Sequence, residues 1–282
     1  GIPNTVDIVF AIFAVVLVVE GARRVMGWML PILGLVFLSY PFFSHYDWVP
    51  DRLLTRPYSI SDIFGQMYLK TEGLYSSAIG ASVTFIFLFI LFGAFLAKSG
   101  MGKLFNDLAM ALAGHKQGGP AKVAVISSGF MGSINGTAVA NVVGTGSFTI
   151  PLMKKNGYHK NFAGAVEASA SVGGQILPPV MGASAFIMAE TTGVSYGTIA
   201  LAATLPALLY YLGVMAQVHF RAGKDNLKGV PKADLPRVKD VLKERGHLLI
   251  PLVALVFFIF QSIPVRYAAV YTIVLPVLVP TL

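Results

Sequence analysis

Two apolar segments between residues 121 and 184 are each interrupted by small, polar and helix-breaking residues. The first interruption reads GSINGT at residues 132–137, and the second reads GGQILPP at residues 173–179. In hydrocarbon, every main-chain N–H or C=O group released from a helix costs several kcal/mol, so a lipid-facing helix gains nothing from such interruptions. Broken helices occur at membrane depth where they line a cavity, and there they form ion and substrate sites. We therefore predict that this stretch forms half of a transport site.

The composition indicates an integral membrane protein. Of the 282 residues, 55% are hydrophobic and 12% are charged, and the mean hydropathy is +0.72. Soluble domains carry roughly 25% charged residues. The sequence has no cysteine, which excludes disulfides and thiolate metal sites. The expected fold class is therefore an all-α integral membrane protein.

The apolar segments predict a series of membrane helices. The arms on either side of the first interruption, residues 121–134 and 138–153, would be about 21–24 Å long as helices. Because a hydrocarbon core is ~30 Å thick, a re-entrant hairpin fits these arms better than two full spans. Residues 98–119 are predicted to form an amphipathic helix along the interface. Its apolar face would consist of Met101, Leu104, Leu108 and Leu112. The remaining predicted spans are residues 6–19 (ending at Glu20), 26–43, 74–97, 162–190 (broken near 173–179), 197–218, 247–262 and 267–282.

A polar stretch, residues 44–72, separates two of these spans. Within it, residues 59–69 could form an interfacial amphipathic helix, and we expect Ser61 to be its N-cap. Residues 221–245 form a basic loop.

The distribution of basic residues supports this topology. If the turn at Arg23 and Arg24 is cytoplasmic and the hairpin enters and leaves on one side, 17 of the 21 Lys and Arg residues lie on the cytoplasmic side. An excess of Lys and Arg in the cytoplasmic loops is the general rule for membrane proteins. The net charge of +8 is thereby explained by the membrane topology, and a nucleic-acid partner is not expected.

The residues at the interruptions offer oxygen ligands. Ser133, Asn135 and Thr137 bring two hydroxyls and an amide, which suit a hard cation such as Na⁺. The helix that starts near Thr137 would direct its N-terminal N–H groups into the same region, where an anion is favoured, and Asn141 follows one turn later on the same face. In the second interruption, Gln175 adds another amide.

Glu167 is the one acid that lies inside a predicted span and away from its ends, and two interpretations stay open for it. An intramembrane acid is a functional candidate by default. Glu167 is also close to the predicted cytoplasmic end, where it could reach water or pair with Lys160. Small residues nearby, including Ser127, Ser128 and Ser169, are interpreted as helix-packing residues.

Catalytic and nucleotide-binding chemistry is not supported by the sequence. The five histidines show no metal-ligand spacing, and GTGS at residues 144–147 lacks the GK[ST] ending of a P-loop. No arrangement of a nucleophile and a base is visible. We therefore expect no enzyme activity and no bound cofactor.

Residues 130–184 resemble the large membrane subunit of tripartite ATP-independent periplasmic (TRAP) transporters. The resemblance rests on FMGSINGTAVANVVGTGSFTIPLMKKNGY and FAGAVEASASVGGQILPPVMGAS, above all on the IPLMKKNGY turn and the GGQILPP interruption. The hairpin tip has Asn-Gly-Thr where the family commonly has Ser-Gly-Ser-Gly. Gln175 and Val180 also depart from the commoner pattern. These departures are similar to the branch whose periplasmic partner is of the TAXI type and whose small and large membrane subunits are fused.

The resemblance implies an elevator-type secondary transporter that imports organic acids, driven by a cation gradient. Na⁺ is the implied coupling ion, with H⁺ as the alternative. The implied partners are a TAXI-type periplasmic substrate-binding protein, a small membrane subunit fused upstream, and the lipid bilayer of the bacterial or archaeal inner membrane. Thr137 and Asn141 would face the substrate carboxylate. The residues implied around a cation site are Ser133, Asn135, Gly136, Gly173, Gln175 and Pro178.

The family has two inverted repeats, each with a hairpin and a broken helix, and the chain matches the first. We expect the chain to be part of a longer permease and not to transport alone. The predicted regions are 1–22 (last helix of the small-subunit part), 23–120 (scaffold and interfacial helices), 121–190 (half of the transport domain, with the hairpin at 121–154 and the broken helix at 161–190) and 191–282 (following helices and the basic cytoplasmic loop). An ion channel and a non-transporting membrane scaffold remain alternatives.

Overall fold

The computed structural model describes residues 3–261 and 265–278, and the secondary structure in these ranges is entirely helical. The all-α prediction is therefore confirmed. The chain forms two compact units, residues 1–80 and residues 81–282.

The first unit contains α1 (Thr5–Met26), α2 (Met29–Phe43) and α3 (Ile60–Leu69), with α1 packed against the other two helices. α1 is longer than predicted, since it continues past Glu20 for six residues. Both Arg23 and Arg24 make ion pairs with Glu20, at 2.6 and 2.8 Å. The charges that were expected to end the helix lie at i, i+3 and i+4, the spacings at which opposite charges support a helix.

The N-cap of α3 is Ser59, so the prediction of Ser61 was wrong. The Ser59 hydroxyl accepts a hydrogen bond from the main-chain N–H of Asp62, and the Asp62 carboxylate accepts one from the main-chain N–H of Ser59. This reciprocal pair is a capping box, which needs an acidic or amide side chain three residues after the cap. Ser61 has no such partner position, because residue 64 is Phe.

The second unit begins within a continuous helix, Ser77–Lys98, which consists of α4 (Ser77–Ala81), a π turn (Ser82–Ile86) and α5 (Phe87–Lys98). The helices that follow are α6 (Met101–Ala113), α7 (Gly119–Asn135), α8 (Ala138–Lys155), α9 (Lys160–Gly173), α10 (Ala183–Thr192), α11 (Tyr196–Lys224), α12 (Val238–Arg245), α13 (Ile250–Phe260) and α14 (Val265–Leu278). The predicted basic loop at 221–245 is thus partly helical. The predicted ends at residues 262 and 282 lie outside the described residues.

The amphipathic helix predicted at residues 98–119 is confirmed as the shorter α6. Met101 and Leu104 are completely buried, as expected, but Leu112 is 47% exposed. The buried face instead continues through Phe105 and Ala109, because α6 packs against α7 along a side rotated from the predicted one.

α7 is the central helix of the second unit, since it packs against α5, α6, α8, α9 and α11. Fourteen of its residues are buried, and many of them are Gly, Ala or Ser. Small side chains let neighbouring helix backbones approach closely. α7 and α8 form the predicted hairpin, because Ser128 contacts Thr145 while Gly132 lies beside Asn141 across the pair.

Several helices have the length and composition of membrane spans. Among the described residues, Thr5–Met26, Ser77–Lys98 and Tyr196–Lys224 are long and apolar enough to cross a bilayer, and Met29–Phe43 is a shorter apolar helix. α11 exposes a row of leucines, with Leu205 66% and Leu212 64% accessible. Such an exposed apolar face suits contact with lipid.

Candidate functional site: two chain interruptions that meet

The first interruption consists of two residues between α7 and α8. Gly136 ends α7 in the left-handed conformation with φ = 63°, and its N–H donates to the carbonyl of Gly132. A residue in this conformation is strongly favoured to be glycine. Thr137 then takes an extended conformation as the N-cap of α8, but its side chain makes no capping hydrogen bond. The N-terminal turn of α8 therefore has no side-chain cap.

The second interruption spans residues 174–182, between α9 and α10. The carbonyl of Gln175 accepts a 2.7 Å hydrogen bond from the N–H of Gly182, which closes the segment into a loop. The helical donor to this carbonyl would be the N–H of residue 179, which is a proline and has none. Met181 has φ = 57° although it is not glycine, and it is only 2% exposed. Buried non-glycine residues with such backbone angles concentrate at functional sites.

The structure brings the two interruptions together. The N–H of Val180 donates to the carbonyl of Ser133 at 3.0 Å. A Cβ atom added to Gly174 would lie 2.4 Å from the Cα of Gly132, so the two backbones are in direct contact. A Cβ added to Gly136 would lie 2.2 Å from the carbonyl oxygen of Met181. Main chain therefore packs on main chain at three successive points.

Tyr196, at the start of α11, holds the second interruption from the other side. Its hydroxyl lies 3.0 Å from the carbonyl oxygen of Pro179 and also contacts that of Val180. Its ring stacks on Phe186 of α10, with centroids 4.6 Å apart. The irregular segment is thus fixed by side chains outside it.

Four of the six residues predicted around a cation lie where the interruptions meet, namely Ser133, Asn135, Gly136 and Gln175. Gly182 contacts both interruptions. A Cβ atom added to it would lie 3.3 Å from the Cβ of Gln175 in the second interruption and 3.4 Å from the carbonyl oxygen of Gly136 in the first. Ser133 is 6% exposed, and its hydroxyl donates to the carbonyl of Phe130. The Asn135 side-chain oxygen lies beside Gly93 of α5.

Gly173 and Pro178 are placed differently. A Cβ on Gly173 would meet the ring of Tyr210 at 2.6 Å, so this glycine lets α11 approach α9. Pro178 lines a small apolar cavity with side chains of α11 and α13. Each of these two residues thus has a packing role in the structure.

The two predicted substrate contacts do not share one environment. Thr137 is exposed, whereas Asn141 is completely buried between the arms of the hairpin. The Asn141 amide nitrogen donates to the carbonyl of Ser128 at 2.8 Å, while its side-chain oxygen has no hydrogen-bond partner. Buried polar atoms without a partner are rare.

Glu167 does not reach water and does not pair with Lys160. It is completely buried, and hydroxyl groups donate hydrogen bonds to its carboxylate. The donors are Ser128, Thr145, Thr149 and Ser171. Ser128, interpreted as a packing residue, is buried between the helices, and its hydroxyl in addition donates to Glu167. The signal that was missed is the spacing Thr145, Thr149 on one face of α8 opposite the acid.

The described residues contain no cluster of three or more His, Cys, Asp or Glu side chains that could hold a metal ion. The features present are apolar helices of membrane length, a buried acid and two joined main-chain interruptions. They define a polytopic membrane protein with a site made mostly of main-chain and neutral oxygen groups. Such sites are typical of secondary transporters.

Comparison with known proteins identifies the family. Residues 13–282 match the family described as "Tripartite ATP-independent periplasmic transporter, DctM component". The chain belongs to this family, which is the large subunit of TRAP transporters and not a family of enzymes. It is accordingly a multi-pass protein of the inner membrane.

Three relatives illustrate the match. The chain is 28% identical over 177 residues to the 2,3-diketo-L-gulonate TRAP transporter large permease protein YiaN of Escherichia coli, covering 63% of the chain and 41% of the relative. It is 32% identical to the C4-dicarboxylate TRAP transporter large permease protein DctM of Vibrio cholerae, covering 55% and 33%. It is 28% identical to the sialic acid TRAP transporter large permease protein SiaM of the same species, covering 64% and 43%. The chain thus spans well under half the length of these relatives.

Proposed function

We propose that the protein takes part in the import of an organic acid, driven by a cation gradient across the membrane. The observation that carries the proposal is the junction of the two interruptions, where Val180 hydrogen-bonds to Ser133 and Gly174 contacts Gly132. The three relatives are named for the transport of a C4-dicarboxylate, a sialic acid and 2,3-diketo-L-gulonate, all of them organic acids.

The N-terminal end of α8 suits the substrate carboxylate. The first-turn N–H groups of a helix favour an anion, and here the side chain of Thr137 does not cap them. Thr137 is exposed and can donate its hydroxyl proton to a carboxylate. Asn141 would contribute after a rearrangement that frees its amide from the carbonyl of Ser128.

Na⁺ is the proposed coupling ion, and the oxygens of Ser133, Asn135, Gly136 and Gln175 are the proposed ligands. The Ser133 hydroxyl donates its proton to a main-chain carbonyl, so its lone pairs are free to bind a cation. For Gly173 and Pro178, the proposed contribution is the shape of the main chain, because their neighbours are apolar or aromatic.

The proposal includes partners and motion. A periplasmic binding protein of the TAXI type would deliver the substrate, and a fused small membrane subunit would join the scaffold. The hairpin α7–α8 and the broken helix α9–α10 would move as part of an elevator-type transport domain. The support for a joint movement is the direct main-chain contact between them.

The experiment is uptake of radiolabelled C4-dicarboxylate and sialic acid by the full-length transporter in proteoliposomes, with its binding protein and with Na⁺ or H⁺ gradients imposed separately. We expect Asn135→Ala and Gln175→Ala to reduce Na⁺-driven uptake at least tenfold. Asn161→Ala and Gln217→Ala remove the same side chains from exposed positions on α9 and α11 and should retain uptake.

Three outcomes would contradict the proposal. Ion conductance without coupled uptake would favour a channel. Full uptake by both Asn135→Ala and Gln175→Ala would show that the junction is not the cation site. Absence of uptake of any organic acid under every gradient would favour a scaffold subunit.

A further inference from the structure

Glu167 lies in α9, fully enclosed by protein, with 0% of its surface exposed. None of the ion pairs among the described residues includes it. Burying an unpaired carboxylate is very costly, and proteins avoid that cost by pairing the charge or by neutralising it with a proton. The proposed transport function uses Glu167 in no step, so its burial needs a separate explanation.

Hydroxyl groups from three helices surround the carboxylate, and we call these four residues the hydroxyl cage: Ser128 of α7, Thr145 and Thr149 of α8, and Ser171 of α9. Ser128 Oγ is 2.8 Å from Oε1, and Ser171 Oγ is 3.3 Å from it. Thr149 contacts Oε2. All four cage residues are buried, with Thr145 1% exposed and the others 0%.

The cage can satisfy Glu167 in two protonation states without moving a side chain. Each hydroxyl has a single proton to donate. Thr145 Oγ1 lies 2.9 Å from the carbonyl of Asn141, and Thr149 Oγ1 lies 3.0 Å from the carbonyl of Thr145, so each has a second acceptor one turn back on α8.

When Glu167 is charged, these hydroxyls can donate to it. When Glu167 is protonated, they can rotate their protons to the carbonyls of α8, and a threonine oxygen can accept the carboxyl proton. The side-chain oxygens stay in place in both states.

The spacing favours a proton over a metal ion. The cage oxygens and the carboxylate are already at O–H···O hydrogen-bond distances from one another. A Cβ atom on Gly146 would lie 3.1 Å from Glu167 Cγ, so α8 closes the remaining side. A proton fits this geometry without expanding the cage.

Other ionisable groups on the packed helices are engaged elsewhere. From α11, the hydroxyls of Tyr210 and Tyr211 donate to the carbonyls of Ser169 and Ala170. From α7, Lys122 contacts the imidazole of His219, with Nζ 3.0 Å from Nδ1. On α8 and α9 the charged side chains are Lys154, Lys155 and Lys160, which are all exposed.

We propose that Glu167 binds and releases one proton inside the hydroxyl cage, and that this proton decides whether the cage threonines donate to Glu167 or to the carbonyls of α8. A proton from bulk water forms an O–H bond with one carboxylate oxygen, and the resulting carboxyl group donates to a cage hydroxyl. The neutral state removes the buried charge. In the charged state, hydroxyls of both hairpin arms donate to the Glu167 carboxylate of α9.

The test is infrared spectroscopy of the full-length protein in lipid, because a neutral carboxyl group has a carbonyl stretch that a carboxylate lacks. Spectra are taken from acidic to alkaline pH at constant Na⁺ concentration. We expect the difference spectrum between wild type and Glu167→Gln to contain a neutral-carboxyl band that is lost as the pH rises. Glu190→Gln is the matched control, because it makes the same change at an exposed carboxyl on α10, and it should retain the band.

Two results would overturn the proposal. If wild type and Glu167→Gln have the same carboxyl spectrum at every pH, Glu167 does not exchange a proton. If Na⁺ added at constant pH removes the band, the cage binds a metal ion. Both readouts are independent of transport. The proton proposal can therefore be wrong while the proposed transport function is right, and the transport function can be wrong while the proton proposal is right.

A second variant covers the case in which Glu167→Gln does not fold. Thr149→Val has nearly the same shape but removes one donor to the carboxylate. Because hydrogen bonding changes the frequency of a carboxyl carbonyl stretch, the neutral-carboxyl band of Glu167 should change its wavenumber in this variant. A band at the wild-type wavenumber would contradict the proposal.

Discussion

The main-chain N–H of Val180 donates a hydrogen bond to the carbonyl of Ser133, 47 residues earlier, and so joins two places where helices stop. Each interruption alone would leave main-chain polar groups without helical partners. Together they satisfy part of each other's hydrogen bonding. This mutual satisfaction explains how a chain of membrane composition can tolerate two irregular segments between its helices.

The contact between Gly132 and Gly174 predicts a strict requirement for glycine. Gly174→Ala would place a methyl group 2.4 Å from the Cα of Gly132, and backbone cannot give way as a flexible side chain can. We expect a loss of stability of about 1–3 kcal/mol or more, which is typical of overpacking, measured by thermal unfolding in detergent.

Gly164→Ala is the control for that substitution, because a Cβ at Gly164, in the second turn of α9, meets nothing within 4 Å. It should leave the unfolding temperature unchanged or raise it, since alanine is the better helix former. Equal unfolding temperatures for the two variants would show that the close contact is unimportant.

Tyr196 predicts a local effect on the second interruption. Tyr196→Phe leaves the carbonyls of Pro179 and Val180 without this donor, so residues 174–182 should open more often. Hydrogen–deuterium exchange should be faster in that segment and unchanged in α6. Tyr210→Phe removes a hydroxyl that binds the carbonyl of Ser169, outside the interruption, and should leave exchange at 174–182 as in wild type.

The capping box of α3 distinguishes two neighbouring serines. Ser59→Ala removes the side-chain acceptor for the Asp62 N–H and should cost about 1 kcal/mol of helix stability. The Ser59 hydroxyl also holds the pKa of Asp62 below its usual value, so this pKa should rise in the variant. Ser61→Ala should change neither quantity. Circular dichroism and an NMR titration of Asp62 measure the two effects, and a larger effect at Ser61 would contradict the assignment.

Tyr158, in the turn between α8 and α9, predicts a stabilising substitution. Its hydroxyl is buried and has no hydrogen-bond partner, while its ring stacks on Phe162. Tyr158→Phe keeps the ring and removes the unsatisfied group, so stability should rise by about 1 kcal/mol. Tyr211→Phe, in contrast, removes a 2.8 Å hydrogen bond to the carbonyl of Ala170 and should destabilise.

The same tyrosine predicts a dependence on alkaline pH. Burial raises the pKa of Tyr158 from 10.0 to about 12. Between these two values the unfolded chain releases the proton while the folded chain retains it, so the wild type loses stability as the pH rises. Tyr158→Phe should lack this part of the loss. Identical pH profiles for the two proteins would exclude the buried phenol as its cause.

The sequence was sufficient for features that depend on local chemistry. The helix breaks near Asn135 and Gln175 followed from glycine, proline and polar residues within apolar segments, and the hairpin followed from the length of its arms. The cap of α3 was misplaced because two serines stand two residues apart, and only the acid three residues after Ser59 distinguishes them.

Features that depend on packing between distant helices were not predictable in the same way. Whether Glu167 faces lysine, water or hydroxyls depends on which side of α9 meets α7 and α8, and a helix with small residues on several sides leaves that undecided. Asn141 was expected beside Thr137 because the two are one turn apart. The close approach of α7 and α8 buries Asn141, whereas Thr137, between the two helices, stays exposed.

The glycine pair at the junction also limits how the protein can change in evolution. A steric clash between two side chains can be repaired by making the partner smaller. At Gly132 and Gly174 the nearest atoms across the contact are main-chain atoms, so neither partner has a side chain that could be reduced. A substitution at either position therefore has no compensating substitution at the other, and the pair can only be kept or lost together with the geometry that it holds.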